Sequence, residues 1–135
     1  MKKLILGLMI GATASFVGCK EEEEHGHNHV TITFDEPMND EVIPLADAAS
    51  VHIHIDFVWE ESGEAVEVKL HPEGDENDMI IDLDLHQHDS PYTFMQDVNL
   101  SSYAAGTEFH LTAKGCEDHD CEEFVTSDIH FSLGQ

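Results

Sequence analysis

The chain contains no arginine, and its basic residues are five lysines, two of which, Lys2 and Lys3, sit at the extreme N-terminus. Beyond them only Lys20, Lys69 and Lys114 stand against 29 acidic residues. A chain with no basic patch cannot displace counterions from phosphates, which excludes nucleic acid as a partner. The carboxylates attract cations instead, either metal ions or basic proteins, and they also aid solubility. Catalytic signatures are missing too. There is no Gly-rich phosphate loop, dinucleotide fingerprint or nucleophile elbow, and no His-Glu-X-X-His of a zinc protease. Asp82 and Asp84 are spaced as paired carboxylates of the kind that glycoside hydrolysis uses, but nothing else in the chain marks a cleft for it. The expectation is a protein that is not an enzyme.

Long apolar runs are equally scarce. The longest extends from Leu4 to about Ile10, well short of the ~20 residues of a membrane-spanning helix. With Lys2 and Lys3 before it and a small-residue stretch from Gly11 to Gly18 after it, the run has the form of a secretory signal over residues 1–18. Phe16-Val17-Gly18-Cys19 resembles a bacterial lipobox, although Phe16 stands where Leu is usual and Val17 where a small residue is commoner. The resemblance implies that Cys19 is acylated and becomes the mature N-terminus, with the lipid bilayer as its partner. Lys20-Glu21-Glu22-Glu23-Glu24 resembles the signal that carries Bacteroidota-type lipoproteins to the outer face of the outer membrane, which implies a cell-surface location. An anchor with several acyl chains holds stably where one would be marginal. Residues 19–28 have like charges and almost nothing apolar to bury, so they read as an unfolded tether.

From His29 to Gln135 apolar residues recur with period two, the mark of half-buried strands. Val30, Ile32 and Phe34 alternate with Thr31 and Thr33, and Val51, Ile53, Ile55, Phe57 and Trp59 alternate with His52, His54, Asp56 and Val58. Similar patterns run through 66–70, 81–85, 92–100, 109–113 and 129–133. Glu61-Ser62-Gly63 reads as a hairpin, His71 to Asp75 as a longer turn and Asp89-Ser90-Pro91 as a strand break. Seven short strands, no helical stripe and one apolar face per strand predict an all-β, seven-stranded antiparallel sandwich over residues 29–135.

The stretch from Val98 to Ala113, with Gly106-Thr107 opening a strand, resembles the crossover of bacterial immunoglobulin-like and fibronectin type III-like domains. Ile32-Thr33-Phe34-Asp35-Glu36-Pro37 resembles their first strand. The resemblance implies an immunoglobulin-like sandwich and no particular function. Cys116 and Cys121 flank Glu117-Asp118-His119-Asp120 and form an even pair in an oxidising compartment, so a disulfide is expected. A thiolate metal site with His119 would need reduced thiols, and no Cys-X-X-Cys suggests catalysis.

Eleven histidines remain to be explained. His25, His27 and His29 form a His-X-His-X-His run where tether meets domain, resembling histidine-rich segments of metal-uptake proteins. His52 and His54 share a polar strand face with Asp56, and His86 and His88 continue the face of Asp82 and Asp84. Residues i and i+2 of a strand point to one side ~6.5–7 Å apart, close enough for two imidazoles to reach one ion at ~2.0–2.1 Å. Carboxylates can complete the shell or orient the rings. Imidazole with carboxylate suits Zn²⁺ or Cu²⁺ better than Ca²⁺. If the strand at 81–85 joins those at 66–70, 109–113 and 129–133, its histidines share a face with His71, His110 and His130. If it lies beside 92–98, Met95 and Asp97 become its neighbours, and a methionine favours copper.

The expected function is capture or buffering of Zn²⁺ or Cu²⁺ by a surface lipoprotein. The alternative is an immunoglobulin-like adhesion module or accessory subunit of an outer-membrane complex, without metal dependence. Ligation needs neutral imidazole, so metal affinity should fall as pH drops through about 6.5, the ordinary imidazole range. Calorimetric titrations above and below that pH would show it.

Overall fold

A computed structural model describes residues 28–135. The expected signal segment 1–18, Cys19 with its expected acylation, the acidic run and His25 and His27 lie outside the described residues. Eight strands are present: β1 (Val30–Glu36), β2 (Glu41–Ile43), β3 (Val51–Trp59), β4 (Ala65–Pro72), β5 (Ile81–His86), β6 (Tyr92–Val98), β7 (Glu108–Cys116) and β8 (Phe124–Leu133). Among the described residues the only helical element is a 3-10 turn at Leu45–Asp47, and no helix is long and apolar enough to cross a membrane. One sheet has the order β1-β3-β6, the other β2-β8-β7-β4-β5.

The period-two residues form the core between the two sheets. Ile53, Ile55 and Phe57 of β3 share one core cluster with Val66, Val68 and Leu70 of β4 and with Phe109, Leu111 and Phe131, all essentially inaccessible to water. Burying each such side chain stabilises the fold by roughly 1.5–3 kcal/mol against leaving it exposed. Phe109 stacks on Phe131 with centroids 5.2 Å apart, and Tyr103 meets Phe109 edge-on at 5.1 Å. The Tyr103 hydroxyl donates to Asp78 Oδ2 at 2.7 Å. Burial first, then that contact and the Asp78 charge, push the phenol up to about 12, so it stays protonated and donating at neutral pH.

Two expectations are corrected. There are eight strands, not seven, and the sheet containing the extra one is not wholly antiparallel, because β2 pairs with β8 in parallel. With three residues, of which only Ile43 is buried, β2 is too short to display alternation. Its pairing comes from the chain being laid along β8, where Asp40 N–H donates to the His130 carbonyl at 2.6 Å. Glu61-Ser62-Gly63 is not a hairpin turn, since it carries the chain from β3 in one sheet to β4 in the other. Turn residues mark a change of direction, not which sheet the next strand joins. This crossing is tied by Asn28, whose Nδ2 donates to the Ser62 carbonyl at 2.6 Å while its Oδ1 accepts from Glu61 N–H at 2.9 Å. Gly63 is required there: a Cβ would lie 2.5 Å from the Asp89 carbonyl oxygen and 2.6 Å from that of Gln87.

The Cys116–Cys121 disulfide is formed, with Cα atoms 4.9 Å apart. It lies at the end of the sandwich where the chain enters β1. Trp59 Nε1 donates to the Cys116 carbonyl at 2.7 Å, which ties the two sheets together at that end. The loop is closed over a sequence separation of 5, so chain-entropy reasoning expects about 2 kcal/mol from it. The double variant C116A/C121A should lose that amount in urea denaturation. A loss near zero would show that the loop holds its shape without the bridge.

Candidate metal centre

β4, β7 and β8 lie side by side in a register that pairs His71 with His110 and His110 with His130. Neighbouring strands are ~4.8 Å apart, so three imidazoles from distant parts of the sequence form a row across the outer face. The His110 and His130 rings are stacked, with centroids 4.5 Å apart and planes 5° from parallel. His71 meets His110 edge-on at 5.4 Å. Asp128, two residues before His130 on β8, completes the group. Its Oδ2 is 3.0 Å from His110 Nε2 and 3.5 Å from His130 Nε2. One nitrogen from each of these histidines and one Asp128 oxygen lie within 4.8 Å of one another.

Neighbouring groups hold the rings. Glu73 Oε2 lies 3.2 Å from His130 Nδ1, the carboxylate-to-ring contact that orients an imidazole with its other nitrogen toward an ion. His71 is almost fully buried, with Nδ1 2.8 Å from the Pro72 carbonyl oxygen. A carbonyl only accepts, so Nδ1 carries the hydrogen, and the neutral ring has its lone pair on Nε2.

The outer face of the three-stranded sheet carries a second group. His54 Nε2 lies 3.5 Å from both Asp35 Oδ2 and Asp56 Oδ1, and these three residues also offer ligand atoms within 4.8 Å of one another. His52 is drawn elsewhere, its Nδ1 2.7 Å from Asp97 Oδ1 on the paired strand. The two ring centres are 6.2 Å apart. Met95 pairs with His54 in the ladder, so the methionine anticipated beside the histidines of 86–88 stands beside those of β3. The Thr93 hydroxyl donates to Asp56 Oδ1 at 2.5 Å and is the main cause holding that carboxyl below the usual range. The His54 charge adds to it, and burial opposes.

Of the other sequence-predicted residues, His86 ends β5 and His88 lies beyond it, with ring centres 6.1 Å apart. β5 does join β4, β7 and β8 in one sheet, but His86 pairs with Ala65 while His71 sits at the other end of β4. The two sets of histidines therefore share a sheet and not a site. His29 Nδ1 lies 3.2 Å from Glu117 Oε1. The strongest group, His110, Asp128 and His130, was not among the predicted ligands. Asp128-Ile129-His130 has the same i, i+2 spacing as the His-X-His pairs and was the available signal. The partnership with His110 depends on register and is invisible in sequence.

Because the Asp56 pKa is lowered in the fold, its contribution to stability is present above the ordinary carboxylate value and is lost as pH falls through the lowered one. Thr93→Val should move the Asp56 titration back up toward the ordinary range, read by NMR of the carboxyl carbon against pH. An unchanged titration would assign the shift to His54 instead. No family model matches the chain, and no curated protein matches it significantly.

Proposed function

We propose that this chain is a lipid-anchored protein of the outer membrane, facing the cell exterior, that binds Zn²⁺ or Cu²⁺ on the outer faces of its strands. Its role is capture or buffering, not catalysis. The observation that carries the reading is the convergence of His110, Asp128 and His130 within 4.8 Å. Two nitrogens and one carboxylate oxygen are a donor set for Zn²⁺ or Cu²⁺, whereas Ca²⁺ needs oxygen ligands in greater number. His71, with its lone pair on Nε2, is the natural third imidazole. On a tetrahedral ion with metal–nitrogen distances of ~2.0–2.1 Å, imidazole centres stand about 5 Å apart; those of this row are 4.5 and 5.4 Å apart, and the stacked His110 and His130 rings would turn out of parallel so that both planes meet the ion. The group at Asp35, His54 and Asp56 is a second, more carboxylate-rich position, with Met95 at hand for copper.

The sheet orders β1-β3-β6 and β2-β8-β7-β4-β5 support an immunoglobulin-like reading, in which strands cross repeatedly between two packed sheets. The lipobox-like Cys19 and the acidic run after it support the anchor and its placement. A second reading, an interaction module without metal, draws on Met38 and Val42, each more than 60% exposed beside the acidic stretch at Asp40 and Glu41. A partner recovered equally with and without chelator would favour it.

Calorimetric titration of the metal-free protein should show Zn²⁺ or Cu²⁺ binding tighter than about 100 μM at neutral pH. H110A/H130A should remove the tightest class of sites, and Glu73→Gln should weaken it about 10–100-fold by releasing the His130 ring. Absence of binding below that concentration would end the proposal.

A further inference from the structure

The end of the sandwich where the chain enters β1 holds three further imidazoles from two segments, with the His86 ring in contact with those of His88 and His119. His86 closes β5, His88 follows it, and His119 projects from the loop bounded by Cys116 and Cys121. We propose that His86, His88 and His119 form a further transition-metal site, separate from the His110–His130 row and from the group at Asp35, His54 and Asp56, with its third ligand positioned by the disulfide. The inference shares the metal-binding reading given above but uses none of the same residues.

Four observations support it. The His86 ring centre lies 6.1 Å from that of His88 and 5.9 Å from that of His119. Both separations are within roughly 1 Å of what two imidazoles on a tetrahedral ion require, a gap that rotation of exposed rings closes. In a chain with 29 acidic residues, the His86 and His88 rings have imidazole neighbours and no carboxylate within ion-pair distance among the described residues, while every other described histidine side chain has a carboxylate or carbonyl partner. His119 Nδ1 lies 3.7 Å from Glu64 Oε2, an acid placed to orient that ring as Glu73 orients His130.

The two segments are also held in place. The disulfide closes the His119 loop, and Asp118 Oδ1 accepts from the Glu122 and Glu123 N–H groups at 2.8 and 3.3 Å. Gln87 N–H donates to the Glu64 carbonyl at 2.6 Å, and Gly63 packs against the carbonyls of Gln87 and Asp89 with no room for a side chain. The site is thus braced on the same crossing that Asn28 ties. Three neutral imidazoles suit Zn²⁺ or Cu²⁺ and reject hard oxygen-seeking cations. They also leave one coordination position open for exchange, as a capture site requires.

The test uses the full chain carrying H25A, H27A, H54A, H110A and H130A, titrated with Zn²⁺ and followed by NMR of the imidazole signals. One ion per chain should bind, with the His86, His88 and His119 signals shifting together. Adding H119A, an exposed and structurally neutral change, should weaken binding about tenfold or more. H86A, which removes the central ring, should abolish it, and C116S/C121S should act like H119A. If the background chain binds no Zn²⁺ while the parent binds it through the His110–His130 row, this inference falls and the earlier reading stands. If the parent shifts only the His86, His88 and His119 signals, the earlier site falls and this one stands. Unchanged affinity in H119A would overturn the proposal.

Discussion

Burial of alternate side chains between two sheets sets the register on which every candidate site depends. Leu70, Leu111 and Ile129 lie opposite one another across β4, β7 and β8 on the inner face. The next row along is His71, His110 and His130 on the outer face. Because side chains alternate with period two, slipping any of these strands by one residue would turn its leucine or isoleucine to the outer face and its histidine into the core. The apolar row thus enforces the polar one. The alignment of three imidazoles costs the fold little, because it follows from packing that the core already demands.

Charge is distributed over the outer faces in a complementary way. In the middle of the five-stranded sheet Glu67 pairs with Lys114 at 3.1 Å and with Lys69 at 3.7 Å, so two of the few lysines are spent there. Such half-buried, solvent-screened pairs contribute little individually, but they leave that part of the face locally balanced. The imidazoles lie toward the two ends, and most of them have a carboxylate within ion-pair distance. A cation arriving there would meet excess negative charge with no lysine to oppose it. His86 and His88 differ in kind, since their ring contacts are with imidazoles and no carboxylate lies within ion-pair distance of them among the described residues.

The positions of the strands were legible because alternation is local. Val51 to Trp59 shows it over nine residues, and the structure places β3 over the same range. The disulfide was legible as well, since a short separation between two cysteines leaves few other partners. β2 was not, because three residues and one buried side chain carry no period. The crossing at residues 61–63 was misread because turn chemistry is the same whether the chain returns to its own sheet or passes to the opposite one.

At the candidate sites the division follows the same line. His-X-His and Asp-X-His spacing decides that neighbouring ligands share a face, and this is a property of extended backbone that any strand would show. Which face meets which is a different matter. His54 found Asp35 across β1, His110 found Asp128 and His130 across β8, and His119 came to His86 from a loop more than thirty residues away in sequence. The sequence by itself determined an acidic, two-sheet β domain with histidines on polar strand faces. Only the tertiary structure decided which of them converge, because pairing partners are chosen by packing of the buried face, to which the outward-pointing ligands contribute nothing.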